Sequence, residues 1–139
     1  MKIEDFVMDN EKNDAQYVSY HLKSDVHILG RTIHATDDID VEISIATNEN
    51  IENVLEMMNT YFEYLGKCKE QLIKYIESEA GEETLPSDWF ENFDIFSVSI
   101  TINSTEDYGA VIAVDDEYFG HIIELYFDKE NIVDNILLG

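Results

Sequence analysis

The stretch DDEYFGHIIELYF, residues 115–127, combines residue types that can transfer a proton or bind a metal ion. Asp115, Asp116 and Glu117 precede His121, and a histidine can act as a general base when a nearby carboxylate orients it. From His121 onwards, however, apolar residues alternate, which predicts a β-strand with the imidazole on its apolar face. We therefore predict no catalytic residue and keep these four residues as candidates for binding.

Three other histidines, His21, His27 and His34, lie close enough in sequence to be considered as zinc ligands. A zinc site needs its ligands on one side of the ion, at about 2.0–2.2 Å. If residues 23–24 close a two-residue hairpin, His21 and His27 occupy opposite faces. His27 and His34 also face apart along a regular strand unless Gly30 forms a bulge.

The remaining motifs give no positive signal for chemistry. The acidic turns at 36–40 and 104–109 lack the ligand spacing of a calcium-binding EF-hand loop. Cys68 lies among lysines on a predicted helix, which could lower its thiol pKa, although we expect a passive thiol. Glycine-rich phosphate loops and the motifs of serine hydrolases and zinc peptidases are absent. The sequence predicts no metal and no cofactor.

Charge is the most informative property of the composition. The chain has 31 acidic and 8 basic residues, a formal net charge of −23. Such a field repels nucleic acid and anionic membranes and attracts basic protein surfaces. Arg31 is the only arginine, so bidentate recognition of phosphate has almost no donor. These properties predict a basic protein partner, and neither a nucleic-acid nor a membrane partner.

A chain of 139 residues with 45% hydrophobic residues is long enough for one domain, which we assign to residues 1–139. A lone cysteine excludes a disulfide framework. The first ten residues lack the basic start and apolar run of a signal peptide. No window approaches the roughly 18 apolar residues of a membrane span, so we expect a cytoplasmic protein.

Periodicity predicts strands, one helix, and strands again. Alternation predicts strands over 16–22, 26–36 and 39–47. Apolar residues at three- and four-residue steps then predict a helix that is capped at Thr47 or Asn48 and continues to about Glu79. Such a helix has about 30 residues and is about 45 Å long at ~1.5 Å per residue.

We expect this helix to bend at Gly66. The loop that follows, residues 80–93, contains Trp89, which we expect to close the edge of the core and keep as a binding candidate.

The last third predicts four strands joined by short turns, which favours an antiparallel meander. In the first of them, alternation places Phe96, Val98, Ile100 and Ile102 on one face. The predicted fold is α+β: an antiparallel sheet of the N-terminal strands plus a C-terminal four-strand meander, packed on one long central helix.

The segment DDEYFGHIIELYFDKENIVDNILLG resembles an uncharacterised bacterial family, domain of unknown function 2262. Trp89, Gly120, His121 and Gly139 are the positions that match the family pattern. The tryptophan of the family's early strand region is replaced here by His34 or a neighbour. The resemblance implies an α+β fold and a bacterial source, and it implies no activity. Small acidic domains similar to immunity proteins are the second resemblance.

These observations leave three functional hypotheses. The first is a non-catalytic acidic binding module, immunity- or antitoxin-like, that neutralises a basic protein partner. The second is a structural domain that forms a homo-oligomer through its helix or the edge strand at 132–138. The third is a hydrolase that uses His121 with the nearby carboxylates.

Overall fold

The structure is a computed structural model, and it describes residues 2–9, 15–34, 39–68, 70–72, 74, 94–116, 121–129 and 132–138. For residues 3, 115–116, 121–123 and 132–138 the description covers the backbone. Among the described residues, no helix is long and apolar enough to cross a membrane.

Nine strands and one main helix make up the described secondary structure, which confirms the predicted α+β class. The strands are β1 (Phe6–Met8), β2 (Tyr17–Leu22), β3 (Val26–Ile28), β4 (Arg31–Ile33), β5 (Asp40–Ala46), β6 (Asp94–Ser104), β7 (Asp107–Asp116), β8 (His121–Asp128) and β9 (Ile132–Leu138). The helix α1 spans Ile51–Lys67, and a short 3-10 helix, Ile3–Asp5, precedes β1.

Seven strands form the main sheet in the order β1-β2-β5-β6-β7-β8-β9. The predicted C-terminal meander of four antiparallel strands is confirmed. Every neighbouring pair is antiparallel except β5 and β6, which run parallel. This exception follows from the connection, because α1 lies between β5 and β6 and a crossover of that length can return the chain in the same direction.

The segment predicted as one strand over 26–36 is a separate two-stranded hairpin, β3–β4. Leu29 and Gly30 have φ angles of 53° and 77°, and positive φ at both central residues is typical of a two-residue type I′ turn. Gly30 is therefore a turn residue, and the interpretation of it as a bulge is wrong. The hairpin considered at residues 23–24 does not form, because β2 pairs with β1 and β5 instead of β3.

The helix is shorter than predicted and begins later. Its N-cap is Asn50, whose side-chain oxygen accepts a hydrogen bond from the amide of Glu52 at 2.8 Å. Thr47 and Asn48 do not cap it, since a turn closed by the Glu49 amide and the Ala46 carbonyl comes first. The helix has 17 residues and ends at Lys67, and residues 70–72 and 74 are helical again beyond that end.

The predicted apolar stripe of α1 packs into the core, as expected for an amphipathic helix. Its buried residues are Val54, Met58, Tyr61, Phe62 and Leu65. They join buried side chains from one face of the main sheet, including those of Ile43, Ile100, Ala110 and Phe127, in one hydrophobic cluster.

The assignment of Phe96 to the core face, which was based on alternation, is wrong. Phe96 is 60% exposed, whereas its neighbour Ile95 is 6% exposed and belongs to the core. The register of β6 against β7 shifts between Ile95 and Ser97. This bulge inserts an extra residue and breaks the period of two, while Val98, Ile100 and Ile102 keep the predicted inward direction.

Candidate functional site

The main sheet has a second face, opposite α1, and we call it the open face. One row of directly paired residues runs across it through His21, Glu42, Ser99, Val111 and Tyr126. The members of this row are half-buried or exposed, whereas the row one residue further along each strand is buried in the core. Within the described ranges, no element covers this row.

Short hydroxyl side chains and acidic groups dominate the open face. Its polar residues include Tyr17, Ser19, His21, Asp40, Glu42, Ser44, Ser97, Ser99, Thr101, Glu124 and Tyr126, and the small or apolar residues Val7, Ala46, Gly109, Val111 and Ala113 lie on the same face. The pleat explains this composition, because every second residue of a strand that borders the core points away from it.

The strands of the main sheet contain no lysine and no arginine. Acidic residues occur in five of the seven strands: Asp40, Glu42, Asp94, Asp107, Asp115, Asp116, Glu124, Asp128 and Asp134. The negative charge of the chain therefore extends onto the sheet without a lysine or arginine in the same strands to neutralise it.

His21 is bonded to a carboxylate at each ring nitrogen. Its Nε2 lies 2.7 Å from Oδ2 of Asp9, and its Nδ1 lies 2.8 Å from Oδ1 of Asp40. The hydrogen bond to Asp9, opposed by partial burial and reinforced by the bond to Asp40 and by both negative charges, raises the pKa of the imidazole. The two contacts favour the imidazolium form, and each ring nitrogen is already engaged by a carboxylate.

Further hydrogen bonds fix polar side chains of the open face. The hydroxyl of Ser19 donates to Oε1 of Glu42 at 2.8 Å, and the Tyr17 hydroxyl donates to Oδ1 of Asn103. The Tyr126 hydroxyl donates to Oε2 of Glu124 at 2.7 Å. Glu42 and Glu124 are bonded from a neighbouring strand and from their own strand, and Tyr17 reaches Asn103 across β5. These carboxylates are therefore held in place before any ligand arrives.

Apolar groups accompany the charge at two places. Phe96, at the bulge of β6, stands beside Ser97 of the open face and is 60% exposed. On the edge strand β1, Val7 and Met8 are about half exposed. Exposed aromatic and aliphatic side chains beside polar groups are typical of protein-binding surfaces.

The candidates from residues 115–121 lie where β7 ends and β8 begins. Asp116 is the register partner of His121, and Asp115 is that of Ile122. The backbone therefore brings Asp116 and His121 opposite one another, as the predicted turn into a strand requires. Glu117 and Trp89 lie outside the described residues, as do the family-pattern glycines 120 and 139.

The three N-terminal histidines contact different partners. Nδ1 of His27 lies 3.0 Å from the Thr32 hydroxyl, and Nδ1 of His34 lies 3.3 Å from Asp25. Among the described residues, no group of three or more His, Cys, Asp or Glu side chains has an arrangement that could hold a metal ion.

Sequence reasoning missed the arrangement of Asp9, His21 and Asp40. It depends on β2 lying between β1 and β5, whereas the hairpin considered at residues 23–24 would place β3 beside β2. One signal in the sequence could have indicated it. The segments 16–22 and 39–47 both alternate as strands do, so a pairing of these two segments was an alternative to the hairpin.

Cys68 is buried, with 2% of its surface exposed. Burial raises the pKa of its thiol to about 11, and the thiol donates a hydrogen bond to the carbonyl oxygen of Leu65 at 3.5 Å. Burial therefore shifts the thiol pKa in the direction opposite to the one that nearby lysines would cause, which favours the passive thiol over a reactive one.

A cavity of about 410 Å³ lies between α1 and the β3–β4 hairpin. The charged residues Asp25, Glu63 and Lys67 border it, but Glu63 and Lys67 form an ion pair with each other at 2.9 Å, and Asp25 lies 3.3 Å from Nδ1 of His34. This pairing leaves the open face as the stronger candidate for binding.

Comparisons of the chain with protein-family models, with curated proteins and with solved structures found no match. The resemblance to domain of unknown function 2262 stays a prediction from the sequence.

Proposed function

We propose that this protein is a non-catalytic acidic binding module whose open face binds a basic protein partner. One observation carries the proposal: the open face, which no described element covers, belongs to strands that contain carboxylates and neither lysine nor arginine. His21, the histidine on this face, has both ring nitrogens occupied, which favours binding over proton transfer.

The electrostatics suit recognition of a cationic surface. A formal net charge of −23 accelerates encounter with a basic partner and makes the association sensitive to salt. At ~0.15 M ionic strength the field is screened over about 8 Å. Carboxylates in contact with the partner, such as Asp40, Glu42 and Glu124, therefore decide the affinity of the docked complex.

The dimensions of the sheet also suit a protein partner. Six gaps between strands at about 4.8 Å, and six residues at about 3.3 Å each, give a face roughly 29 Å by 20 Å. This plan area of roughly 600 Å² approaches the ~800 Å² that each partner buries in a standard interface. Phe96, beside this face, supplies an apolar anchor.

The specific form of the proposal is an immunity- or antitoxin-like role in the cytoplasm, in which the open face neutralises a basic toxin. A toxin that acts on nucleic acid has a cationic active surface, because it must bind phosphates. An acidic sheet face can occupy such a surface by charge complementarity without catalytic groups.

The proposal is tested with variants of matched charge. Ser99→Lys with Thr101→Lys adds two positive charges at the centre of the open face, where Ser99 is exposed and Thr101 half-buried. The control, Glu56→Lys, changes the net charge by the same amount on the exposed side of α1. Basic proteins retained at low salt by the immobilised wild-type protein are identified, and their affinities for the three proteins are measured by calorimetry.

We expect the double variant to weaken binding at least about tenfold, as for unfavourable charges within an interface, and Glu56→Lys to weaken it much less. Equal losses in both variants would assign the binding to the overall charge instead of the open face. If no basic protein is retained at low salt, the proposed function is wrong.

Self-association is the second candidate function, and the exposed side chains of edge strand β1 favour it. Val7 and Met8 are 47% and 48% exposed, and an edge strand offers unpaired backbone groups to a second copy. Sedimentation at increasing protein concentration tests this alternative. A dimer that Val7→Lys dissociates would support it, and a monomer throughout the concentration range would contradict it.

A further inference from the structure

His21 links three strands through its side chain. It lies on β2, between edge strand β1 and the inner strand β5. Asp9 directly follows β1, and Asp40 is the first residue of β5. The two hydrogen bonds of the imidazole, 2.7 Å and 2.8 Å long, therefore connect the end of β1 to the start of β5 across β2.

Both bonds can exist together only when the imidazole is protonated. Carboxylates at neutral pH accept hydrogen bonds, so each ring nitrogen must carry a hydrogen to satisfy both Asp9 and Asp40. A neutral imidazole has a single N–H, and its other nitrogen presents a lone pair. Loss of the proton therefore turns one of the two attractive contacts into a repulsive one.

Among the residues that the structure describes, the charged groups nearest His21 are carboxylates. Asp9 comes from the β1 side, and from β5 come Asp40 and the register partner Glu42, which also accepts a hydrogen bond from Ser19. Lys23, two residues along the chain, is exposed and has no ion pair to these carboxylates among the described contacts. The hydrogen bond to Asp9 and the bond and charge of Asp40 favour the charged imidazole, and together they outweigh partial burial and raise the pKa of His21 above its ordinary value.

We infer that Asp9, His21 and Asp40 form a proton-dependent tie, which fixes the end of β1 against the sheet below and near neutral pH and loosens as the pH rises further. This inference is independent of the proposed binding function, since it concerns contacts within the chain.

The loosening is local to the end of β1. Phe6 is buried in the core and packs edge-on against Tyr20, with ring centroids 6.3 Å apart, so the start of the strand stays anchored. The Asp9 amide, which donates to the carbonyl oxygen of Ser19 at 2.8 Å, lies at the end that the tie controls. Opening there frees backbone groups of β2 for another strand to bind.

Amide hydrogen exchange of the isolated protein tests the inference. The exchange rate of the Asp9 amide is measured by NMR between about pH 6 and pH 9, which covers the range of a raised histidine pKa, and is corrected for base-catalysed exchange of an unstructured peptide. We expect its protection to fall about five- to tenfold across this range, because a charge-assisted hydrogen bond is lost. The Ile100 amide, in the centre of the sheet, serves as the internal reference.

The matched variant is His21→Gln, which keeps a polar side chain but cannot titrate. In this variant we expect protection of the Asp9 amide to be lower than in the wild type at acidic pH and independent of pH. If wild type and variant show the same dependence on pH, the inference is wrong.

Two further variants keep the test decisive if His21→Gln disturbs the fold. Asp9→Asn and Asp40→Asn should each lower the midpoint at which the His21 ring proton signals titrate, because each removes one negative partner. A midpoint that is unchanged in both variants would overturn the inference.

Discussion

The amide of Gly30 donates a hydrogen bond of 3.1 Å to the carbonyl oxygen of Gly66, so that the turn of the β3–β4 hairpin caps the end of α1. The preceding amide, that of Leu29, donates to the carbonyl oxygen of Leu65 at 2.8 Å. The last carbonyls of a helix have no partner within it. Here a distant hairpin supplies two donors, and this contact explains why the helix ends at Lys67 although the apolar periodicity continues.

The turn conformation is the first point to test. Gly30 has a φ angle of 77°, which is unfavourable for residues with a Cβ by about 1–2 kcal/mol. We expect Gly30→Ala to lower the free energy of unfolding by that amount in urea denaturation. Gly30→Asn is the control and should cost less than half as much, because asparagine tolerates this conformation. Equal losses would indicate that the site is sensitive to side-chain size instead of φ.

Gly66 tests the close approach of helix and hairpin. A Cβ on this residue would lie 3.0 Å from the carbonyl oxygen of His27 and 3.2 Å from its Cβ. Gly→Ala inside a helix normally stabilises by about 1 kcal/mol. We expect Gly66→Ala to destabilise by about 1 kcal/mol instead, because the cap must move. The control is Thr60→Ala, at an exposed position of α1, which should raise the free energy of unfolding because alanine has the higher helix propensity. A rise for Gly66→Ala as well would contradict the tight contact between helix and hairpin.

The bulge in β6 predicts opposite behaviour for two adjacent residues. Ile95→Ala should lower the free energy of unfolding by about 2–4 kcal/mol, as for other buried isoleucines. Phe96→Ala should change it by less than ~0.5 kcal/mol, as for exposed sites, and should weaken binding to a basic partner. Denaturation of both variants measures the difference. A larger loss at Phe96 than at Ile95 would restore the regular alternation expected from the sequence.

Local patterns in the sequence predicted the strands of the meander, the α+β class and the core face of α1, because each depends on periodicity within one segment. The errors share a different cause. The exposure of Phe96 depends on how β6 pairs with β7, and the contacts of His21 depend on which strands flank β2. The end of α1 at Lys67 depends on a hairpin that lies some 35 residues earlier in the chain. None of these long-range relationships leaves a periodic signal.

The buried thiol of Cys68 should react slowly. With its pKa raised to about 11 by burial, about 1 in 1,000 thiols is ionised at pH ~8, and the thiolate is the reactive form. We expect alkylation of the native protein to be at least about a hundredfold slower than in urea, where the pKa returns to its ordinary range and the side chain is accessible. Mass spectrometry of timed samples measures both rates. Rapid labelling of the native protein would show that the site opens or that the pKa is not raised.

The dependence of global stability on pH provides a separate prediction for His21. The pKa of His21 is raised in the folded protein. Its contribution to the free energy of unfolding is therefore fully present below the ordinary histidine pKa near 6.5, and it is lost as the pH rises through the pKa of the folded protein. The contribution is no more than about 1 kcal/mol, since all three groups are partly exposed. The measurement is the difference in unfolding free energy between wild type and His21→Gln, because the repulsion from the other acidic groups largely cancels in it. We expect this difference to favour the wild type at about pH 6 and to shrink towards zero by about pH 9. A difference that stays constant or grows with pH would mean that the two carboxylates do not hold the proton on His21.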